Sequence, residues 1–278
     1  MIIQAESLKR LVNAILKSGG SSDDESQVVA EHLVRSNLAG HDSHGVGMLP
    51  IYLRMLQANL LKPNQVPELF KSDGSIMMFD GKRGYGQAVG KIAMEKAIEK
   101  CRESGLVLMT LRNTHHLGRI GTYGEQSIAA GMVSLHFVNV TDHPPLVAPF
   151  RGSDARFSTN PICLAMPGTE KQPPLLLDMA TSRIALGKAR VAFNKGEVLK
   201  EGLVLDHQGE PSTDPAVMAG YIFPDREENP PLGALTPLGD YKGYGLAMFC
   251  ELLGGLLSGG GTIQPEHERQ NSIINNMF

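Results

Sequence analysis

Apolar residues in the first forty positions recur at the spacing of helices. The first predicted helix ends at Gly19-Gly20 and gathers one apolar face, formed by Leu8, Leu11, Val12 and Ile15. A second helix follows, for which Ser21, Ser22 and Asp23 offer N-terminal caps. It is expected to stop at Gly40 and to bury Val28, Val29, Leu33 and Leu38.

A third helix is predicted over residues 48–61, beside a polar run at His41–Gly45. A loop held by rigid helices is a favourable place for reactive groups, and the third helix brings Tyr52 and Arg54 close to that run. The Pro-rich stretch at 63–67 then marks a boundary.

From Ser75 the pattern changes to alternating strands and helices. Strands are predicted at 76–79, 106–111, 133–140, 162–166 and 175–177, and helices at 87–103 and 120–130. This alternation predicts an α/β or mixed α+β class. The many turn formers at 152–167 argue against a simple doubly wound parallel sheet.

Composition narrows the class of protein further. The 278 residues carry a net charge of −3 without a Lys/Arg block, which disfavours nucleic acid or an anionic membrane as the main partner. The three cysteines are widely spaced in apolar surroundings, so we expect no disulfide framework and a cytoplasmic location. The most apolar stretch, 245–257, is too short to span a membrane and contains Glu251.

Two glycine-rich segments invite a phosphate-binding interpretation. Residues 84–90 read GxGxxxG, one residue longer than the dinucleotide fingerprint, which favours a tight turn. Residues 254–261 lack the Lys-Ser/Thr ending of a P-loop, which favours a flexible hinge.

Four of the nine histidines lie in two short runs, His41–Gly45 and Asn113–Gly121. Histidine titrates near neutral pH and serves as acid, base or metal ligand. Three interpretations stay open at this point: polar capping of helix ends, a metal site using His41, Asp42, His44 and His116, and an acid/base role oriented by Ser43 or Asp42. The chain contains no standard metal-binding spacing such as HExxH.

Five ordered motifs carry a resemblance that covers the whole chain. They are Ser43-His44-Gly45, Asn113–Gly121, Thr159-Asn160-Pro161, Asp178–Ser182 and Lys242–Gly245. Together they resemble the type 2 malate/L-lactate dehydrogenase family, which includes L-sulfolactate dehydrogenases. Within it, the form His-Asp-Ser-His-Gly-x-Gly-Met is most similar to the bacterial hydroxycarboxylate dehydrogenase branch.

The resemblance implies a fold and a cofactor. It implies a non-Rossmann nicotinamide-binding domain around a large mixed β-sheet, with a helical domain built from the chain ends, in a homodimer that binds NAD or NADP. The domains are then expected at 1–70 (helical), 71–245 (cofactor-binding) and 246–278 (a helical return segment that stops short of the family's full length). The implied partner is a small 2-hydroxy or 2-oxo acid, with no nucleic acid and no membrane.

The same resemblance implies residue roles. His44 and His116 match proton-transferring positions, Ser43 an orienting one, and no metal is implied. Substrate positions fall on Tyr52, Arg54, Thr159 and Met48. Cofactor positions fall on His44, Gly118, Arg119, Ile120, Leu176, Leu177, Asp178, Met179, Ala180, Tyr241, Lys242 and Asn275.

Two departures shape the expected substrate. Many family members carry Arg where this chain has Met48, so a bulky 2-oxo acid of the phenylpyruvate class, or 2-oxoglutarate held by Arg54, is expected. Cyclic imino-acid reductases carry Asp where this chain has Lys188, which disfavours that activity. The alternative functions are a metal-dependent hydrolase or lyase, or a truncated non-catalytic homologue.

Overall fold

A computed structural model describes residues 3–222, 228–264 and 268–278. Its helices are α1 Ala5–Ser18, α2 Asp23–Leu38, α3 Leu49–Gln57, α4 Gly86–Ser104, α5 Gly121–Ala129, α6 Leu186–Lys195, α7 Ala219–Ile222 and α8 Tyr241–Phe249, which a π-helix at Cys250–Leu257 continues. Its strands are β1 Glu68–Asp73, β2 Ile76–Asp80, β3 Leu108–His115, β4 Ser134–Thr141, β5 Ile162–Met166, β6 Leu175–Met179, β7 Val204–Leu205, β8 Pro211–Ser212, β9 Ala234–Leu235 and β10 Ile274–Met277.

Seven strands form one mixed sheet in the order β1-β2-β3-β10-β4-β5-β6. Only the β2–β3 pair within this sheet is parallel, and its other neighbours run antiparallel. The mixed α/β class with a large mixed sheet is therefore confirmed. A second sheet, β8-β7-β9, packs with α6 and α7 around a smaller apolar cluster that includes Val204, Met218 and Leu235.

Helices α1 to α3 bury an apolar cluster of their own. This cluster includes Val12, Leu16, Leu33 and Tyr52. The predicted cap of α2 is present, since the Ser22 side chain accepts a hydrogen bond from the Glu25 amide. Two details were wrong. Leu38 is 70% exposed, because it lies in the last turn of α2 beyond the packed face. The third helix ends at Gln57 rather than at residue 61, and Asn59 takes a left-handed conformation there.

Helices α4 and α5 cover one face of the large sheet. The cluster beneath them contains Phe79, Val89, Leu111, Tyr123 and Cys163. The glycines of 84–90 serve close packing there, because a β-carbon at Gly90 would meet the Tyr123 ring. The tight-turn interpretation holds only for Gly84, whose amide donates to the Gly81 carbonyl, because Gly86 and Gly90 lie inside α4.

The π-helix packs on β4, and a β-carbon at Gly254 would collide with the backbones of β4 and β10. Gly254 and Gly255 are buried. The flexible-hinge interpretation of this segment was therefore wrong. These glycines let a helix lie directly on a sheet.

The C-terminal end of the chain contributes to the sheet itself. Strand β10 lies between β3 and β4 and pairs with both. A helical domain built from both chain ends is not confirmed, since among the described residues after 257 the regular element is this strand. None of the helices in the described ranges is both long and apolar enough to cross a membrane.

Candidate active site

The two predicted histidine runs meet in three dimensions. His116 follows β3, and its Nε2 lies 3.2 Å from Nδ1 of His44, with the ring centroids 5.2 Å apart. His44 ends a short 3₁₀ turn at Asp42–His44, just beyond α2. Ser43 in that turn contacts the start of α6, because a β-carbon at Gly187 would meet the Ser43 β-carbon.

The sequence placed the whole histidine doublet in a loop, but only His116 lies beyond the end of β3. His115 is the last residue of β3, is fully buried and has its ring edge against Tyr52. The backbone of the doublet rests on the start of α4, where a β-carbon at Gly86 would collide with the carbonyl groups of His115 and His116. The strand and this glycine therefore determine where the His116 ring stands.

Tyr52 connects the histidine pair to helix α4. Its hydroxyl oxygen lies 2.7 Å from His116 Nδ1, and it accepts a 2.6 Å hydrogen bond from Gln87 Nε2. Tyr52 and Gln87 are fully buried or nearly so. Gln87, Tyr52, His116 and His44 thus form one continuous hydrogen-bonded chain, which we call the histidine chain.

Burial keeps this chain neutral. Desolvation lowers the pKa of His44 to about 4, and the nearby His41 adds to this effect. The pKa of His116 lies well below its ordinary value, because the ring is buried and faces His44, His115 and His32. Desolvation also raises the pKa of Tyr52 well above its ordinary value. Both imidazoles are therefore neutral at pH 7.

The Gly118–Gly121 segment runs from His116 into helix α5. Gly118 has a left-handed φ of 75° and lies against the ring of His32, whose Nε2 accepts a 3.0 Å hydrogen bond from the Arg119 amide. A side chain at Gly118 would collide with that ring.

Arg119 is neither a surface charge nor a free anion-binding group. Its side chain is 7% exposed, donates to Glu125 at 2.9 Å and places Nε 4.0 Å from Asp178 Oδ2. The same Asp178 oxygen accepts a 2.7 Å hydrogen bond from the Gly121 amide at the start of α5. Burial raises the pKa of Asp178, while this hydrogen bond, His41 and Arg119 oppose the rise. We call Arg119, Glu125 and Asp178 the charged cluster.

The remaining predicted cofactor residues divide by exposure. Ile120 lies in the core, and the partly buried Leu176 packs against the same cluster. Leu177 is 45% exposed, whereas Met179 and Ala180 are half-buried.

Asn275 on β10 contacts the backbone next to His116. Its Oδ1 accepts a 2.7 Å hydrogen bond from the Leu117 amide, and its Nδ2 has no partner in the described part of the chain. Tyr241 and Lys242 are exposed at the start of α8. That start adjoins the Asp178–Ser182 motif, because Leu238 donates to the Thr181 carbonyl and Gly243 donates to Leu238.

The predicted substrate residues are spread over several elements. Thr159 is half-buried, and its carbonyl accepts from Thr181. Met48 is 7% exposed in the apolar cluster of the N-terminal helices, four residues before Tyr52 and thus on the same side of α3. Arg54 is exposed on α3.

Sequence reasoning missed Gln87, His32 and Glu125. Gln87 lies inside the GxGxxxG segment, which drew attention to its glycines alone. His32 is a single histidine on a helix, and Glu125 is an ordinary helical carboxylate. Their roles depend on contacts with Tyr52, Gly118 and Arg119 across the fold, so their local sequence carried no signal.

The metal-dependent alternative lacks a donor set in the described residues. No three His, Cys, Asp or Glu side chains in residues 3–222, 228–264 and 268–278 gather as a metal site. Instead, both ring nitrogens of His116 already meet neighbours within the histidine chain.

Comparison with known proteins identifies the class. The malate/L-lactate dehydrogenase family profile matches residues 3–278, so the chain belongs to this family. It is an oxidoreductase of the hydroxy-acid dehydrogenase type, a class that implies a nicotinamide cofactor.

Individual relatives sharpen this assignment. The chain is 45% identical to an L-lactate dehydrogenase of Cupriavidus necator over 278 residues, which are 100% of this chain and 77% of the relative. It is 45% identical to hydroxycarboxylate dehydrogenase B of Escherichia coli K12 over 262 residues, covering 94% of this chain and 70% of the relative. A solved E. coli structure, described as a candidate malate/lactate dehydrogenase, superposes with a TM-score of 0.92 at 43% identity, covering 100% of this chain and 75% of that one.

Proposed function

We propose that this protein is an NAD(P)-dependent dehydrogenase that interconverts a 2-hydroxy acid and the corresponding 2-oxo acid. The observation that carries the proposal is the neutral, hydrogen-bonded pair of His44 and His116. When bound, the nicotinamide supplies the hydride transfer at C2 of the substrate.

The histidine pair exchanges a proton with the substrate oxygen. Reduction of a carbonyl delivers a proton to its oxygen, and oxidation of the hydroxyl group removes one. In the oxidation direction a neutral imidazole of the pair accepts the hydroxyl proton and becomes imidazolium, and in the reduction direction that imidazolium returns the proton to the carbonyl oxygen. Tyr52 contacts His116 at Nδ1, and Ser43, the chain neighbour of His44, is proposed to orient that residue.

The residues near the pair fit a nicotinamide. Asn275 has a buried amide nitrogen without a partner among the described residues, which suits an oxygen acceptor such as a carboxamide. Gly118 keeps the adjoining backbone bare of a side chain. The Gly121 amide already binds Asp178, so we do not assign a cofactor phosphate to the start of α5.

The proposed substrate class is a 2-oxo acid with a bulky or long tail, such as phenylpyruvate or 2-oxoglutarate. Met48 offers flexible apolar surface on the Tyr52 side of α3, in place of a guanidinium. Thr159 and Arg54 are the proposed partners of the substrate's polar groups.

Cofactor binding and substrate turnover test the proposal together. NADH and NADPH should each be titrated against the purified chain, and the preferred one should raise its melting temperature, because a ligand of the native state alone stabilises it. A panel of 2-oxo acids then follows oxidation of the reduced cofactor, with a chelator present throughout. A chain that neither shifts with saturating cofactor nor turns over any 2-oxo acid would contradict the proposal.

We further propose a homodimer in the cytoplasm. Supporting the dimer, one face of β4 to β6 exposes five apolar side chains in register, namely Leu135, Leu164, Met166, Leu175 and Leu177. Sedimentation at micromolar concentration tests the dimer. The three free cysteines suit a reducing compartment.

A further inference from the structure

Gln87 is the end of the histidine chain that lies on helix α4. It is the second residue of α4 and is 1% exposed. Its Nε2 reaches the Tyr52 oxygen at 2.6 Å, while its Oε1 has no partner among the described residues. The side chain is thus committed to one contact, which leads through Tyr52 to His116.

The direction of each hydrogen bond follows from Gln87. An amide nitrogen only donates, so the Tyr52 oxygen accepts and its own proton is free to point at His116 Nδ1. His116 must then accept at Nδ1, and as a neutral imidazole it carries its proton on Nε2. That proton is donated to His44 Nδ1, which leaves the His44 proton on Nε2.

We propose that Gln87 is a positioning residue that acts through Tyr52 to set the tautomers of the His116/His44 pair. The proposal rests on the proposed function for its catalytic meaning, but the tautomers themselves are a property of the free protein. The result is a neutral pair in which one N–H group, at His44 Nε2, donates to no other member of the histidine chain.

Gln87 also opposes protonation of the pair. An added proton would place hydrogen on His44 Nδ1 and force His116 to accept at Nε2 and donate from Nδ1. The Tyr52 oxygen would then face two donors, His116 and Gln87, and its own proton would lose its acceptor. Removing the Gln87 amide removes this conflict, so the affinity of the pair for a proton should rise.

Other titratable groups around the pair must be considered in such a measurement. His32 on α2, His41 beside the 3₁₀ turn, Tyr52 on α3 and His115 on β3 face it, and Lys188 follows the Gly187 contact at α6. Burial lowers the pKa of His32 and of His115 to about 3, so neither titrates near neutral pH. Spectra are therefore needed in which the His116 signal is identified individually.

The test is nitrogen NMR on the chain labelled with ¹⁵N-histidine, with the His116 signals assigned by their loss in His116→Asn. The proposal expects an unprotonated Nδ1 and a protonated Nε2 for His116 in the wild type at pH 7. A wild-type His116 protonated on Nδ1 would overturn it, even if no variant were stable enough to study.

Gln87→Met keeps the volume of the side chain and removes the donor. We expect a second His116 tautomer to appear and the pH midpoint of the pair to rise by roughly one unit, a tenfold change in proton affinity. Gln126→Met is the matched control, because the Gln126 amide donates to the Lys91 carbonyl at an exposed site and should change neither signal. Unchanged tautomer and midpoint in Gln87→Met would overturn the proposal. Since the readout needs no turnover, an inactive but tautomer-specific chain would refute the proposed function alone.

Discussion

The histidine chain and the charged cluster are neighbours in sequence, yet their buried polar groups are stabilised in opposite ways. In the histidine chain, burial removes the charges, and hydrogen bonds link neutral groups from Gln87 to His44. In the charged cluster, two carboxylates face the buried guanidinium of Arg119 and balance its charge. The stability of the histidine chain should therefore vary with pH. The stability of the charged cluster should instead fall when any one of its charged partners is removed.

This contrast assigns different tasks to the two regions. A group that exchanges a proton must be able to lose its charge, and the neutral pair of His44 and His116 meets that requirement. A segment that must hold the start of α5 in place benefits from fixed charges, and Asp178 binds both Arg119 and the Gly121 amide.

Replacing His116 with Asn should lower kcat by roughly two to four decades, since the substrate oxygen would lose its proton partner. His44→Asn should have an effect of the same order. His136→Asn is the matched control: His136 is buried in β4, where it contacts Ser134, and should leave kcat within a few-fold. Wild-type turnover in the His44→Asn/His116→Asn double variant would show that proton exchange occurs elsewhere.

Replacing Arg119 with Met should lower the free energy of unfolding by about 3 kcal/mol, because the buried Asp178 would lose its cation. Glu125 is more exposed and keeps its contact with Arg35. Arg35→Met is the control: Arg35 also contacts Glu125, at 3.0 Å, but its side chain is 54% exposed. That loss should be about 1 kcal/mol or less. Urea denaturation measures both, and equal losses would mean that the cluster is not stabilised by its buried pairing.

Replacing Met48 with Arg should shift substrate preference toward small dicarboxylates by roughly 1.5 to 3 kcal/mol, the range of a charge-assisted hydrogen bond. The ratio of kcat/KM between oxaloacetate and phenylpyruvate measures this. Met48→Leu keeps the site apolar and should leave the ratio near the wild-type value. An unchanged ratio in a folded Met48→Arg protein would place residue 48 outside the substrate pocket.

The dependence of stability on pH should be shallower in His44→Asn than in the wild type. The folded-state pKa of His44 is about 4, below the ordinary 6.5 of an unfolded chain, so the unfolded state binds the proton first as pH falls. Stability should decline from about pH 6.5 toward pH 4, with His44 contributing up to about 1.4 kcal/mol per pH unit. Urea denaturation at several pH values gives the slopes, and equal slopes would mean that folding does not lower the pKa of His44.

Local sequence pattern predicted most elements of this fold. Strands β2, β4, β5 and β6 and helices α1, α2, α4 and α5 were expected within a few residues of their bounds. Strand β1 was missed, because all six of its residues are exposed and no alternation marks them. The place of β10 between β3 and β4 could not be predicted from sequence either, because strand order depends on contacts between distant segments.

The candidate site likewise contains residues that motifs identify and residues whose roles only the folded structure shows. His44, His116 and Tyr52 were found through motifs, and the structure brings them together. The structure also places Arg119 among carboxylates, which no spacing rule anticipates, because its partner Asp178 comes from a strand on the far edge of the sheet. Roles that depend on a single long-range contact, such as that of Gln87, require the folded chain.

The central place of β10 has a consequence for synthesis. Its neighbours in the sheet are made more than a hundred residues earlier, and the bond from Leu117 to Asn275 spans 158 residues. Until β10 leaves the ribosome, β3 and β4 have facing edges with unpaired backbone groups, and the Leu117 amide beside the site lacks its acceptor. A nascent chain should therefore expose this gap from the completion of β4 until β10 emerges. That interval is when it is most open to chaperones, or to pairing with another unfinished copy.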